Sequence, residues 1–80
     1  MKTTQYFEHV RRRPDRATIR DEWISHVVDH AEKTEVQSDG RIRKWARIAE
    51  TGKFLRGILL EDGQTVHNAF LDRSFKESSR

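Results

Sequence analysis

The spacing of apolar residues changes from about four to two roughly halfway along the chain. Ile19, Trp23, Val27 and Ala31 recur at every fourth position, which is the pattern of an amphipathic helix. This pattern predicts a helix that lies across a sheet and buries Trp23. Thr18 precedes the pattern and is the expected N-cap, because its hydroxyl can accept from a free backbone N–H.

Residues 3–13 predict a shorter first helix. Phe7 and Val10 are three positions apart, so they share one face of a helix. Pro14 ends this element, because proline lacks a backbone donor and disfavours helical geometry in the residue before it. A short strand over residues 5–8 is the alternative.

Residues 41–72 predict three successive antiparallel strands, with one more strand before them. Each break between strands holds a residue followed by glycine, a pair typical of tight hairpin turns. The sequence therefore predicts an α+β fold in which two N-terminal helices pack on a four-stranded antiparallel meander. We expect a single domain over residues 1–80, with helices over about 3–33, strands over about 34–73 and a polar tail over 74–80. The three pairs are Asp39-Gly40, Thr51-Gly52 and Asp62-Gly63.

Composition limits the class of protein. A chain of 80 residues has room for one small core. With no cysteine, neither a disulfide nor a thiolate zinc site can reinforce the fold. The longest apolar run is Ile58-Leu59-Leu60, far too short to cross a membrane, and the N-terminus lacks the apolar segment of a signal peptide. We expect a cytoplasmic protein.

Positive charge is concentrated in the strands. The formal net charge is +3, and residues 1–40 carry seven lysines and arginines against eight acids, whereas residues 41–80 carry nine against five. A basic surface attracts polyanions, so RNA, another polyanion or an acidic protein is the expected partner.

Pairing arithmetic predicts which side chains share a face. If Thr51-Gly52 is a two-residue turn, Arg47 lies directly opposite Arg56, and like charges placed so repel unless an anion lies near them. A phosphate suits that position, because guanidinium groups bind its oxygens in pairs. The same face presents Arg43, Trp45 and His67. The alternatives are a solvated surface without a ligand, or a bulge at the turn that exchanges the two faces.

Two further groups of residues have weaker interpretations. His26 and His30 have the spacing of two zinc ligands, but the stretch between them lacks the glutamate of an HExxH motif, so we expect no metal and no cofactor. A run of arginines precedes the second helix and either grips phosphates or pairs with nearby acids. These arginines are Arg11, Arg12, Arg13, Arg16 and Arg20, and the acids are Glu8, Asp15, Asp21 and Glu22.

The order of these elements resembles a known group of small proteins. Two helices, then four antiparallel strands with arginines and a late histidine on one face, is similar to the RelE/ParE-type toxins of the barnase-EndoU-colicin-RelE ribonuclease group. The spacing of His9, Arg13 and Arg16, and the ending TVHNAFLDRSF over residues 65–75, carry the resemblance most closely.

The resemblance implies a toxin that is paired with an antitoxin and cleaves RNA without metal, through attack of the ribose 2′-OH on its own phosphate. Such a reaction needs an acid, a base and cations for the developing charge. The resemblance implies that His67 acts as acid or base and that Arg47 and Arg56 bind the phosphate. It also implies that Arg43 follows the RNA backbone and that a base stacks on Trp45. Further contacts to nucleic acid would come from His9, Arg13, Arg16 and Arg73. The alternative is a non-enzymatic module that binds nucleic acid or an antitoxin partner through the same face.

Overall fold

Two helices cover one face of a four-stranded antiparallel sheet, as predicted. The computed structural model describes residues 1–75, and within them no helix is long and apolar enough to cross a membrane. The strands follow each other in the sheet in chain order, β1-β2-β3-β4. The elements are α1 (Gln5–Val10), α2 (Asp21–Asp29), β1 (Lys33–Val36), β2 (Ile42–Ile48), β3 (Lys53–Leu59) and β4 (Val66–Leu71).

The first segment is a helix, which excludes the alternative strand. Thr4 caps it, because the Thr4 hydroxyl accepts from the Phe7 N–H at 3.1 Å. The buried residues of α1 are Phe7 and Val10, the pair that its periodicity indicated. Burying two apolar side chains compensates for the poor intrinsic stability of so short a helix.

The second helix is shorter than its periodicity predicts, and its N-cap is not Thr18. It begins at Asp21 after Arg20, which makes no capping hydrogen bond with its side chain. Two acids in the first turn, Asp21 and Glu22, stabilise this end through the helix dipole. Ile24 and Val27 are the buried residues, whereas Trp23 is only partly buried and packs at the margin of the core.

The core lies between the helices and one face of the sheet, which we call the helix face. β2 contributes Ala46 and Ile48, and β3 contributes Leu55 and Leu59. Gly57 lies between the latter two, where a Cβ would make ordinary contact with a Val27 methyl group of α2 at 3.6 Å. The other buried members of the core are Phe7, Ile19, Ile24, Val27, Val66 and Ala69.

The three residue-glycine pairs share one turn chemistry. Asp39, Thr51 and Asp62 each accept, through a side-chain oxygen, the backbone N–H two positions further on. The glycine that follows takes a positive φ, and in residues 1–75 no other residue type does. A type I′ turn needs two such residues, so these turns are of another kind.

The loop between β2 and β3 is therefore longer than predicted. Ile48 pairs with Lys53, which leaves four residues in the loop instead of two. The register shifts by two positions, so the faces of β2 and β3 are as predicted but the cross-strand neighbours are wrong. Arg56 lies opposite Trp45, and Arg47 lies opposite Phe54.

A bulge in β4 exchanges the faces of its second half. Val66 pairs with Leu59 and Asn68 pairs with Ile58, so His67 is an extra residue without a direct partner. Beyond it, Leu71 faces the helices with Leu55, and Phe70 joins Arg56 on the opposite face. A two-residue turn at Asp62-Gly63 without a bulge would place Phe70 with Leu55 and Leu71 with Phe54, so the bulge reverses the faces of both side chains.

The N-terminus extends the sheet beside β4. The Thr4 N–H donates to the Val66 C=O at 3.0 Å, and the Val66 N–H donates to the Lys2 C=O at 2.8 Å. Thr3 and Val66 form a parallel bridge. This pairing places the start of α1 next to the bulge.

Candidate functional site

The face of the sheet opposite the helices, here called the second face, is closed at one end by aromatic side chains. Trp45, Arg56 and Phe70 lie side by side on β2, β3 and β4. The Phe75 ring stacks on Trp45 with centroids 5.0 Å apart and also contacts Phe54 at 4.8 Å. Phe75, near the start of the polar tail predicted over 74–80, therefore packs on the sheet. Residues 76–80 of that predicted tail lie outside the described residues.

Asp72 holds this end together. Its carboxylate accepts from the Trp45 indole at 3.0 Å and lies 3.0 Å from the Arg56 guanidinium. Ser74 donates to it through both its backbone N–H and its hydroxyl. Burial by itself raises the pKa of Asp72, but the hydrogen bonds from Trp45 and Ser74 and the charge of Arg56 outweigh it and lower the pKa. A single carboxylate thus joins side chains of two other strands.

This closed end does not offer the groups that the predicted site requires. Trp45 is only 3% exposed, so no base can stack on it in this conformation. The Arg56 guanidinium is paired with Asp72 and lies 5.2 Å from the Trp45 ring and 5.1 Å from the Phe70 ring. Both residues serve packing, although their roles toward RNA stay predictions.

Arg47 is exposed but lies far from His67. It faces away from the helices in the row of Phe54. Arg43 lies four residues earlier on the same strand, which is roughly 13 Å at the rise of a strand. Because Arg43 is in the row of Asn68, next to His67, the three predicted catalytic residues are not gathered around one phosphate.

His67 lies at the open end of the second face, against the N-terminal segment. Its ring stacks on Tyr6 with centroids 4.8 Å apart and planes inclined by 22°, and its Nδ1 is 3.1 Å from the Thr4 hydroxyl. Burial lowers the pKa of His67, and the charge of Arg41 lowers it further. Both effects favour the neutral imidazole.

Three arginines lie near His67 or in the row of its neighbour Asn68. Arg16 donates to the Asn68 side chain at 2.7 Å, Arg43 shares a row with Asn68, and Arg41 is close enough to lower the His67 pKa. We call Tyr6, Arg16, Arg41, Arg43 and His67 the His67 surface. Its aromatic member, Tyr6, is 50% exposed.

Little negative charge opposes these arginines. Glu35 lies across from Arg43 but pairs with Lys33 at 3.4 Å, and Arg43 forms no ion pair with any residue in the 1–75 range. Arg41 is 3.9 Å from Asp39, and Arg16 is 3.6 Å from Asp15, with both acids exposed. Such surface pairs are weak, so the His67 surface remains electropositive.

Most arginines of the run before α2 pair with acids, which is the second of the two interpretations given to that run. Arg11 pairs with Glu8 and Asp21, and Arg20 pairs with Glu22. Arg12 and Arg13 are exposed and form no ion pair within the part of the chain described. Arg16 alone reaches the sheet.

The remaining predicted residues lie away from His67. His9 is on the exposed side of α1, and Arg73 is exposed after β4, beside a shallow depression lined by Lys53 and Phe75. The rings of His26 on α2 and of His30, the C-cap of α2, are 5.4 Å apart, and no group of three metal-ligating side chains occurs in residues 1–75.

The sequence did not indicate Tyr6 or Asp72 as important. Tyr6 lies four positions before Val10, a spacing that favours the apolar face of α1, but its ring stacks on His67 because the N-terminus pairs with β4. Asp72 lies in the ending TVHNAFLDRSF, but the resemblance carried by that stretch gave it no role. Its role follows from the bulge, which changes which side of the sheet β4 residues occupy. The His67 bulge itself leaves no local signal.

Comparison of the chain with protein-family models, with curated proteins and with solved structures gives no match.

Proposed function

We propose that this protein binds single-stranded RNA through the His67 surface, without cleaving it. The observation that supports the proposal is the half-exposed Tyr6 ring, which stacks on His67. Arg16 binds Asn68, the neighbour of His67, and Arg41 is close enough to lower the His67 pKa. Proteins that bind single strands combine aromatic rings, on which bases stack, with cations that follow the phosphates. The proposed surface provides both within one small area.

The stacked pair makes Tyr6 a firm platform. An exposed tyrosine on a helix ordinarily samples several rotamers, and ordering it on a ligand costs conformational entropy. Here the inner face of the ring already rests on the imidazole, which leaves the outer face for a base. The Tyr6 side chain therefore loses most of its conformational entropy before RNA binds, and binding costs correspondingly less free energy.

The arginines would supply phosphate contacts on the sheet side of that platform. Arg43 is partly buried along its stem, and its Nε has no hydrogen-bond partner within residues 1–75. A guanidinium so placed is held in position and can donate its terminal N–H groups to an anion. Arg16, fixed by Asn68, extends the cationic area toward α1.

Binding is favoured over cleavage by the arrangement of charges. The predicted cleavage site requires Arg47 and Arg56 on the phosphate beside His67, whereas Arg56 is paired with Asp72 and Arg47 lies several rows from His67. The sequence-based expectation of a toxin-like endoribonuclease remains the second candidate, favoured by the lowered His67 pKa. A neutral imidazole can accept a proton from a 2′-OH.

Fluorescence anisotropy with a labelled single-stranded RNA tests binding. Tyr6→Ala should weaken affinity between about five- and a hundredfold, the usual effect of removing one stacked base platform, and Tyr6→Phe should bind almost as the wild type does. Arg43→Ala should reduce the slope of log K against log salt concentration by about 0.7, the single-strand value for one phosphate. Lys53→Ala, which removes an exposed cation at the far end of the sheet, is the matched control. Equal losses for Arg43→Ala and Lys53→Ala would mean that charge alone binds the RNA.

Gel analysis of the same RNA distinguishes the second candidate. Cleavage that is lost in His67→Ala, and lost when the RNA carries 2′-deoxyribose, would establish the nuclease and overturn the non-catalytic proposal. Intact RNA with retained binding supports the module. If RNA does not bind at all, growth arrest on overexpression in bacteria, relieved by a co-expressed small acidic protein, would instead indicate a cytoplasmic toxin with an antitoxin partner.

A further inference from the structure

The outer edge of β1 is a candidate interaction surface separate from the His67 surface. β1 is the first strand of the sheet, and in the described range, residues 1–75, no strand lies on its outer side. Val36, at the end of this strand, is 72% exposed. An edge strand offers free N–H and C=O groups to any strand that can pair with it.

The hydrogen bonds of the β1-β2 hairpin determine which backbone groups point outward. The Gln37 N–H donates to the Arg41 C=O at 2.7 Å. In an antiparallel pair, hydrogen-bonded positions alternate, so Glu35 and Lys33 also direct their backbone groups toward β2. Thr34 and Val36 therefore direct theirs to the open edge.

This alternation restricts how a second copy of β1 can pair. Two antiparallel copies related by a two-fold axis must place Thr34 opposite a residue that also points outward. Glu32 does not, because its N–H donates to the Trp45 C=O at 2.8 Å, so a pairing centred on Thr34 ends before Val36. Centring the axis on Lys33 or Glu35 would place like charges directly opposite each other, which destabilises a pair of strands. Centring it on Val36 would carry the pairing into the turn that follows Gln37.

We propose that β1 pairs with β1 of a second copy of this chain, with the two-fold axis at Thr34. Each Lys33 then lies opposite Glu35 of the other copy, so the charges are complementary on both sides of the axis. Both side chains are about two-fifths exposed and lie on the second face of the sheet. Two four-stranded sheets would join into one of eight strands.

The affinity of this dimer should be low, because the interface is small. A pair of four-residue strands buries far less than the roughly 1,000 Å² expected of a stable interface. Association should therefore become measurable only at about 0.1–1 mM protein, the range of weak encounters. The cross-strand ion pairs determine the register more than the affinity.

Sedimentation velocity of charge-reversed variants tests the proposal. Lys33→Glu alone places two carboxylates opposite each other on both sides of the axis, and Glu35→Lys alone places two ammonium groups there. Each variant should therefore dimerise about tenfold more weakly or worse. Mixed in equal amounts, the two variants should associate as strongly as the wild type, because the acidic edge of one then meets the basic edge of the other. The variants Lys53→Glu and Glu50→Lys match the changes in net charge at exposed sites away from β1.

Each outcome decides for or against the pairing. Restored association in the mixture supports the Thr34-centred dimer, because a folding defect in either variant would not be relieved by mixing. A wild-type chain that stays monomeric across the expected range of about 0.1–1 mM overturns the proposal. Dimers that form equally well in both single variants would overturn this register.

Backbone pairing is checked with Thr34→Pro, which removes an outward N–H and leaves the β1-β2 hydrogen bonds intact. Undiminished association of Thr34→Pro would overturn pairing through this edge.

Discussion

The Arg56 guanidinium lies 3.0 Å from the Asp72 carboxylate, on the face of the sheet that the helices do not cover. The same carboxylate accepts from the Trp45 indole at 3.0 Å. Asp72 follows β4 directly, and it is the only buried residue with a charged side chain in residues 1–75. The pair thus closes a small second core that Phe75 covers.

Removing the Asp72 carboxylate should destabilise the fold. Asp72→Ala leaves Arg56 without its counter-charge and Trp45 without an acceptor, and we expect a loss of about 2–4 kcal/mol in the free energy of unfolding. Asp72→Asn should cost less, since an amide oxygen can still accept from the indole. Urea unfolding followed by circular dichroism measures both. Glu50→Ala, which removes an exposed acid, is the control, and a loss for Asp72→Ala no larger than for Glu50→Ala would contradict this role.

The stability of the protein should fall as the pH drops below about 6.5, the ordinary pKa of histidine. Because the folded-state pKa of His67 is lowered, the unfolded chain binds a proton more readily than the folded chain does. The contribution of His67 is therefore fully present above that pH and is lost as the pH falls toward the folded-state pKa. Urea midpoints measured at about pH 7.5 and about pH 5.5, on either side of the ordinary pKa, should differ more for the wild type than for His67→Gln. An unchanged difference in His67→Gln, or the same change in His26→Gln, would speak against it.

Phe75 should protect Trp45 from solvent. In a Trp23→Phe background, which leaves Trp45 as the only tryptophan, Phe75→Ala should shift the emission to longer wavelength and increase quenching by acrylamide. Phe75→Ala should lower the free energy of unfolding by about 1–3 kcal/mol, less than the loss of a fully buried phenylalanine would. Identical quenching in both proteins would show that Phe75 does not cover Trp45 in solution.

Two glycines should respond in opposite ways to alanine. Gly57 has no positive φ, and a Cβ there would make ordinary contact with Val27 at 3.6 Å, so Gly57→Ala should be neutral or stabilise by up to about 1 kcal/mol. Gly40 has φ of +89°, and its Cβ would meet the Glu61 side chain. Gly40→Ala should therefore cost about 1 kcal/mol or more. Thermal melts compare the two, and a destabilised Gly57→Ala would show that α2 packs too closely for a methyl group.

Local signals were sufficient to predict the architecture. The change of apolar period separates α2 from the strands, and each residue-glycine pair marks a loop because glycine alone takes the positive φ there. The same signals do not give loop length. The Thr51 hydroxyl accepts from the Lys53 N–H within a four-residue loop. The length of this loop depends on such side-chain hydrogen bonds and not on the Thr51-Gly52 pair itself.

The candidate site was predicted less well because it depends on contacts between distant segments. The register keeps Arg43 on the predicted face, but the bulge, the pairing of the N-terminus with β4 and the position of Phe75 are tertiary contacts. These contacts move Trp45 and Arg56 into a second core and bring Tyr6 to His67. No pattern within β4 distinguishes an inserted residue from a regular one.

The bulge at His67 is an insertion that the sheet itself does not need. Ile58 pairs with Asn68 and Leu59 with Val66, so a chain without His67 could keep both pairings and join them as an ordinary ladder. Bulges of this kind re-aim side chains near functional surfaces. His67 therefore serves the His67 surface and not the pairing of β3 with β4, and a chain from which His67 is deleted should still fold.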